Sequence, residues 1–299
     1  MSGKKYQKRR WQGCQVTPIK EELMMSGMKI NTNIEAMNAN RNMNITGTSM
    51  AKTMERLSSG LRINRAADDA AGLSISEKLR GQVNGINQAA SNAQDAISLI
   101  QVAEGSLNET HSILQRIRTL SVQAANDTLG DDERSSIQDE VDSLLSEIDR
   151  ISANTKYSDK SLLDGSASTL AMNFQIGANA GQSIALTIAE AGSTALSVNG
   201  LDLSAHTLAA AALVSIDAAI SEISTQRSSL GAIQNRLEHT IANLGVNAEN
   251  VAAAESRIRD ADVAGEMVNF TRAQILSQSG MAALAQANQS RQTVLQLLR

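Results

Sequence analysis

Proline occurs once in the 299 residues, at Pro18, so nothing beyond it forbids long unbroken helices. The apolar residues use that freedom. Leu79, Val83, Ile86, Ala90, Ala93, Ile97, Ile100, Ala103, Leu107, Leu114, Ile117 and Ala124 recur mostly at steps of three and four. That spacing is the narrow stripe of a coiled-coil-like helix. Unbroken from about 76 to 125, such a helix spans roughly 75 Å at 1.5 Å per residue.

"NDTLGDDERSSIQDEV" reads as a stop and a restart. Asn126 and Gly130 suit a helix end, and the acids 131–133 suit a new N-terminus. A second stripe follows: Ile137, Val141, Leu144, Leu145, Ile148 and Ile151. The period then changes. Apolar residues alternate at Leu170, Met172, Phe174 and Ile176, and again at Ile184, Leu186 and Ile188. Between these runs lies "GANAG", so a β-hairpin is expected at about 170–188. From about 207 the helical stripe returns through Leu213, Ile216, Ile220, Ile223, Leu230, Ile233, Leu237, Ile241, Leu244, Ala248, Val251 and Ile258. A last segment, roughly 260–298, carries Met267, Phe270, Ile275, Met281 and Leu284.

Helices, a small β region and helices again predict a mainly α fold. The expected architecture is a long antiparallel, coiled-coil-like bundle with N- and C-terminal helices paired and a small central β-hairpin. The middle helices, 73–258, can bury their stripes against each other. The ends, 28–72 and 259–299, make only a thin pair, and ordering it costs about 1–2 kcal/mol per residue in backbone entropy. These ends need partners. Only 2% of the chain is aromatic, so its buried area must come from Ala, Val, Ile, Leu and Met, which suits long helix interfaces.

Charge and motifs exclude several classes. Six Lys/Arg and two Asp/Glu fall within residues 1–27; the remaining 21 basic and 29 acidic residues give the body a net charge of −8, a poor match for nucleic acid. No run of 18 apolar residues marks a membrane span. The start, "MSGKKYQKRRWQGCQ", is basic but lacks the apolar stretch of a secretory signal. Its "KKYQKRRW" reads as a disordered basic tail rather than a nucleic-acid or membrane contact. The single Cys14 has no partner for an intramolecular disulfide. His111, His206 and His239 are scattered, and no metal-binding, phosphate-binding or nucleophile motif occurs. Asp68 and Asp69 diverge along the chain and read as loop or helix-start acids. No enzyme activity, metal or cofactor is expected.

Several segments together resemble bacterial flagellin. They are "MKINTNIEAMNANRNM" at 28–43, "MERLSSGLRINRAADDAAGLSISEKLRGQ" at 54–82, "NAQDAISLIQVAEGSLNETHSILQRIRTLSVQAAND" at 92–127 and "FQIGANAGQ" at 174–182. "LGAIQNRLEHTIANL" at 230–244, "ESRIRDADVAGEMVNFTRAQILSQSGMAALAQANQ" at 255–289 and the closing "VLQLL" complete the series. The resemblance spans 28–299. It implies a structural subunit of the flagellar filament, a helical homopolymer for motility, secreted to the extracellular flagellum. It further implies export, unfolded, through the flagellar type III channel. The partners it implies are an export chaperone on the apolar C-terminal segment, a filament cap protein and a hook–filament junction protein. A junction protein, with similar ends, is the nearest alternative identity; a chemoreceptor-type signalling hairpin is a more distant one and would turn through an uninterrupted helical tip.

The resemblance departs at two places. Flagellins usually begin at the position of Met28, so 1–27 is expected to be a disordered extension arising from the choice of start site, with "IKEELM" matching a translated ribosome-binding sequence. Arg291 stands where flagellins commonly have proline, which lets the last helix run on.

Three sets of site residues follow. "LQRIRTLSVQAAN" resembles the segment sensed by the flagellin-specific Toll-like receptor of hosts, which implies contacts at Arg116, Leu120 and Gln123. Their i, i+4, i+7 spacing puts them on one helix face, offset from the Leu114/Ile117/Ala124 stripe. Glu140 matches a further contact, and Thr119 replaces a glutamate common there. Gly60 and Gly72 bracket a connector at 58–72, with Asn64 and Asp68 expected to couple the terminal and middle helices; a continuous helix is the alternative. Finally, Val294, Leu295, Leu297 and Leu298 crowd the chain end and occupy more than one helix face, so they are expected to be assembly residues that neighbouring subunits cover.

Overall fold

The computed structural model describes residues 32–166 and 171–297, with side chains as far as Ser290. The expected extension 1–27 and Leu170 of the hairpin lie outside the described residues. Two compact units emerge, one ending at Asn64 and resuming at Ala261, the other comprising Arg65–Asp260.

The middle unit is built on two helices of nearly equal length, α2 (Ala70–Ala124) and α4 (His206–Arg259). A further helix, α1 (Ile34–Ser59), precedes them, and α3 (Asp131–Asn154) and α5 (Val263–Leu297) are the other long helices among the described residues. At 55 residues α2 runs about 82 Å. Most of its buried residues fall into two interleaved seven-residue series, with Leu99 and Leu120 outside both. Ile86, Ala93, Ile100, Leu107, Leu114 and Ser121 form one, and Ala89, Ala96, Ala103, Thr110, Ile117 and Ala124 the other. On α4 the series is Ala209, Ile216, Ile223, Leu230, Leu237 and Leu244. Strict heptads keep a seam facing its partner over a long distance. Ion pairs Glu77–Arg259 (2.7 Å), Glu104–Arg227 (3.7 Å) and Arg118–Asp217 (2.7 Å) show that α2 and α4 are antiparallel and in fixed register. Among the described residues, α4 is long and apolar enough by composition to pass for a membrane span, with mean hydropathy 1.4 over 18 residues. Its buried positions belong instead to the bundle core.

The expected stop and restart occurs. Asp131, Asp132 and Glu133 occupy the first turn of α3. Buried Arg134 reaches back, donating from Nε to the Ala124 carbonyl (3.1 Å) and from Nη2 to that of Asn126 (3.2 Å). A cation there satisfies the Ala124 carbonyl and complements the C-terminal end of α2.

Two small antiparallel ladders follow α3. The first, β1 (Lys156–Tyr157) with β2 (Lys160–Ser161), was not expected from the sequence. The second is the anticipated hairpin. Here β3 (Met172–Gln175) pairs with β4 (Ser183–Leu186), Met172 opposite Leu186 and Phe174 opposite Ile184. The hairpin turns through 176–182 and sits where a signalling hairpin would need a helical tip. Gly85 lets the loop approach α2 closely, since a Cβ there would meet the Ala178 Cβ at 2.9 Å. Asn92 Nδ2 donates to the Gln175 carbonyl nearby (3.1 Å).

After β4 the chain runs without helix or strand to His206, yet Ile188, Ala191, Val198 and Leu203 are buried. Polar side chains of α3 hold this stretch. Gln138 accepts from the Leu203 amide and donates to the Leu201 carbonyl, each at 2.8 Å. Asp149 accepts from the Ser193 amide (2.8 Å) and hydroxyl (2.9 Å). Irregular backbone is tolerated in a core when such partners exist.

The terminal unit is a single antiparallel pair. Asn33 caps α1, its side chain accepting from the Ala36 amide at 3.0 Å, and also donates to the Ala287 carbonyl of α5 at 3.1 Å. At the other end Arg56 pairs with Glu266 at 2.9 Å. Gly60 ends α1 in the left-handed region, φ +71°, as a helix C-cap commonly requires.

Candidate functional site

The two helices of the terminal unit hide the wrong residues for a self-sufficient pair. On α1 the inward positions are Ala36, Ala39, Met43, Thr46, Met50, Thr53 and Leu57. On α5 they are Glu266, Phe270, Ala273, Ser277, Gly280, Leu284 and Ala287. Small and polar residues therefore dominate the seam. Thr46 and Thr53 donate their hydroxyls to carbonyls of their own helix. Large apolar residues point outward instead: Ile34, Met37, Ile45 and Met54 on α1, and Val263, Met267, Val268, Ile275, Leu276 and Met281 on α5. Ten large apolar side chains are exposed against five at the seam, the reverse of an ordinary surface helix. The ion pair between these helices is incompletely served as well. Arg56 Nε and Glu266 Oε2 are buried without a hydrogen-bond partner among the described residues.

The middle unit brings together Arg116 and Glu140. Both Nε (2.9 Å) and Nη2 (2.6 Å) of Arg116 donate to Glu140 Oε1, joining α2 to α3 across an exposed surface. Gln123 is exposed as well. Leu120 differs from expectation. It is 2% exposed and part of the core with Ile117 and Ala124, so it does not share the open face of Arg116. The reason is α3, which packs on α2 in addition to α4. A helix touching two neighbours buries a wider arc than one stripe, and Leu120 falls within it. That second stripe on α3 was the sequence signal for its burial.

The segment between α1 and α2 is not helical through 60–69, which removes the continuous-helix alternative. The two glycines play different parts there. Gly60 is the left-handed cap, whereas Gly72 lies within the first turn of α2, its amide donating to the Asp69 carboxylate at 2.8 Å. Asn64 Nδ2 donates to Ser59 Oγ (2.8 Å) and folds back on the end of α1. Asp68 Oδ2 accepts from the Arg65 amide (3.2 Å), closing a local turn. The Val294, Leu295, Leu297 and Leu298 side chains lie outside the described residues.

Among the described residues no group of three or more His, Cys, Asp or Glu is disposed to hold a metal ion. His206 and His239 are exposed, and His111 lies within 2.8 Å of the Gln115 amide on its own helix.

A family model described as the bacterial flagellin N-terminal helical region matches residues 30–168, and one described as the bacterial flagellin C-terminal helical region matches 213–298. The flagellin of Halalkalibacterium halodurans is 52% identical over 274 residues, covering 91% of this chain and all of that protein. The flagellin of Bacillus subtilis is 50% identical over 304 residues, with the same two coverages. Among solved structures, Bacillus cereus flagellin is similar at 30% identity and a TM-score of 0.46, over 55% of this chain and 94% of that one. Matched at both ends by the family models, and over its relatives' whole length by half of their residues, the chain belongs to the bacterial flagellin family and is a structural subunit of the flagellar filament.

Proposed function

We propose that α1 and α5 are the polymerisation elements of this subunit, and that neighbouring subunits in the filament cover their outward apolar faces. The observation that carries this reading is the inversion of the terminal pair: small and polar residues at its seam, large apolar ones on its surface. Each fully buried side chain of that size gains about 1.5–3 kcal/mol on leaving water, so repeated contacts offset the ordering of two thin helices. The subunit acts by packing, with no catalytic step. Val268→Glu together with Ile275→Glu is expected to leave the unfolding of the middle unit unchanged and to abolish sedimentable filament. Normal filaments from that variant would reject the assignment.

The same surface accounts for the partners expected before assembly. A chain this apolar at its ends needs cover until it is placed. Export as an unfolded chain through the flagellar type III channel to the cell exterior, a chaperone on the C-terminal segment and a cap protein at the growing tip fit that need; a hook–filament junction protein would present matching ends at the base.

A second surface belongs to a host partner. Arg116, Gln123 and Glu140 form an exposed patch on the middle unit where the flagellin-sensing Toll-like receptor is expected to bind the monomer. Supporting this is the ion pair itself, which holds a guanidinium and a carboxylate together at the surface. Leu120 enters as a positioning residue beneath the patch. Arg116→Ala and Glu140→Ala are expected to lower receptor signalling sharply at unchanged helicity; full signalling by both would remove the site.

A further inference from the structure

We infer that the thioethers of Met37, Met54, Met267 and Met281 are modification sites at which oxidation by a peroxide switches off the assembly surface of the free subunit. The proposal rests on α1 and α5 being the polymerisation elements.

The placement of methionine is lopsided. Seven methionines follow residue 31, and six of them lie on α1 and α5. The middle unit holds one, Met172, half-buried on β3. Within the terminal pair, Met43 and Met50 occupy the seam, whereas Met37, Met54, Met267 and Met281 are 49–63% exposed. Methionine tolerates irregular apolar contacts, being flexible and polarisable, and its oxidation yields a polar sulfoxide that disrupts such interfaces. In the step itself the sulfur lone pair attacks one peroxide oxygen. The O–O bond breaks, an S–O bond forms, sulfur is oxidised by two electrons and hydrogen peroxide leaves as water.

The consequences separate the two units. A sulfoxide oxygen enclosed in a dry subunit interface without a donor weakens each contact by roughly tenfold. Four of them, repeated in every subunit, oppose growth of the polymer. The helices α2, α3 and α4 contain no methionine, and the one methionine of the middle unit, Met172, is half-buried against its core from β3, so the helix–helix seams are untouched. Oxidation should therefore yield a folded subunit that does not assemble, and a methionine sulfoxide reductase should reverse it.

The test uses full-length protein with Cys14 blocked by a maleimide. Monomer is treated with hydrogen peroxide, mapped for sulfoxide by peptide mass spectrometry, and then assayed for sedimentable filament and thermal unfolding. The parent is expected to lose filament at least about tenfold, keep the unfolding of its middle unit, and regain assembly after reductase treatment. A variant with all four residues changed to Leu is expected to assemble equally with and without peroxide. Unimpaired assembly of parent carrying sulfoxide at the four positions overturns the proposal, as does loss of assembly by the peroxide-treated Leu variant. If the Leu variant does not assemble even untreated, reductase rescue of the parent decides alone, and failed rescue counts against it. Failure of untreated parent to assemble would instead refute the assembly reading.

Discussion

Arg116 and Leu120 stand one turn apart on α2 and should respond to truncation in opposite ways. Leu120 is enclosed by the core where α3 meets α2, so Leu120→Ala is expected to destabilise the middle unit by about 2–5 kcal/mol. Arg116 makes an exposed ion pair, and Arg116→Ala should change stability by only about 0–1 kcal/mol. Urea unfolding followed by helicity compares them directly; a Leu120→Ala midpoint equal to that of Arg116→Ala would show that Leu120 is not core. The contrast also bears on the proposed receptor patch, because a signalling defect in Leu120→Ala has a structural cause available while one in Arg116→Ala does not. Arg134 is a third informative residue. Its two bonds to the end of α2 predict that Arg134→Met loses about 1–3 kcal/mol, with amide exchange rising first near Ala124. The sequence marks Arg134 only as one cation in an acidic helix start, and its role depends on the turn that brings α3 beside the end of α2.

The helices were legible from the sequence because each long element repeats one instruction. The stripes through Ile86–Ala124 and Ile216–Leu244 recur often enough to outvote local exceptions. The hairpin was legible from alternation at Met172–Ile176 and Ile184–Ile188. What could not be read was the irregular stretch from Thr187 to Ala205. Its order comes from Gln138 and Asp149, about 40–65 residues away, and no local periodicity records a bond of that range. The short β1–β2 ladder escaped for a related reason, since two residues per strand carry no pattern. Of the candidate site, resemblance implies contacts at Arg116 and Glu140 without indicating their ion pair, and spacing along α2 alone puts Leu120 on the face of Arg116 because it carries no record of the second neighbour, α3. The inverted seam of α1 and α5 appears only when inward positions are known, since both helices contain enough apolar residues to look ordinary. It yields a test at this scale. Thr46→Val and Thr53→Val replace seam hydroxyls with methyls and should each stabilise the terminal pair by about 0.8 kcal/mol, seen as slower amide exchange on α1. Unchanged exchange would mean the pair is not limited by its seam.

At the level of the whole molecule, one chain carries two kinds of helix pair. The α2–α4 pair buries its heptads internally, and three ion pairs mark its register, so it is expected to fold as a monomer. As the proposed polymerisation element, the α1–α5 pair is expected to be complete only in company. Deleting Val294–Arg299 should therefore leave the unfolding of the middle unit intact and greatly weaken polymerisation, as sedimentation of the truncated protein would report. The connector at 60–69 lies between these two regimes. If it couples them, Asn64→Ala and Asp68→Ala filaments should differ in waveform from the parent, and identical waveforms would remove that role. The measurement that bears most directly on the central claim is amide hydrogen exchange, residue by residue, on monomer and on filament. The account predicts that α1 and α5 exchange far faster than α2 and α4 in the monomer, and become comparably protected in the filament. Terminal helices already as protected in the monomer as the α2–α4 core would contradict it.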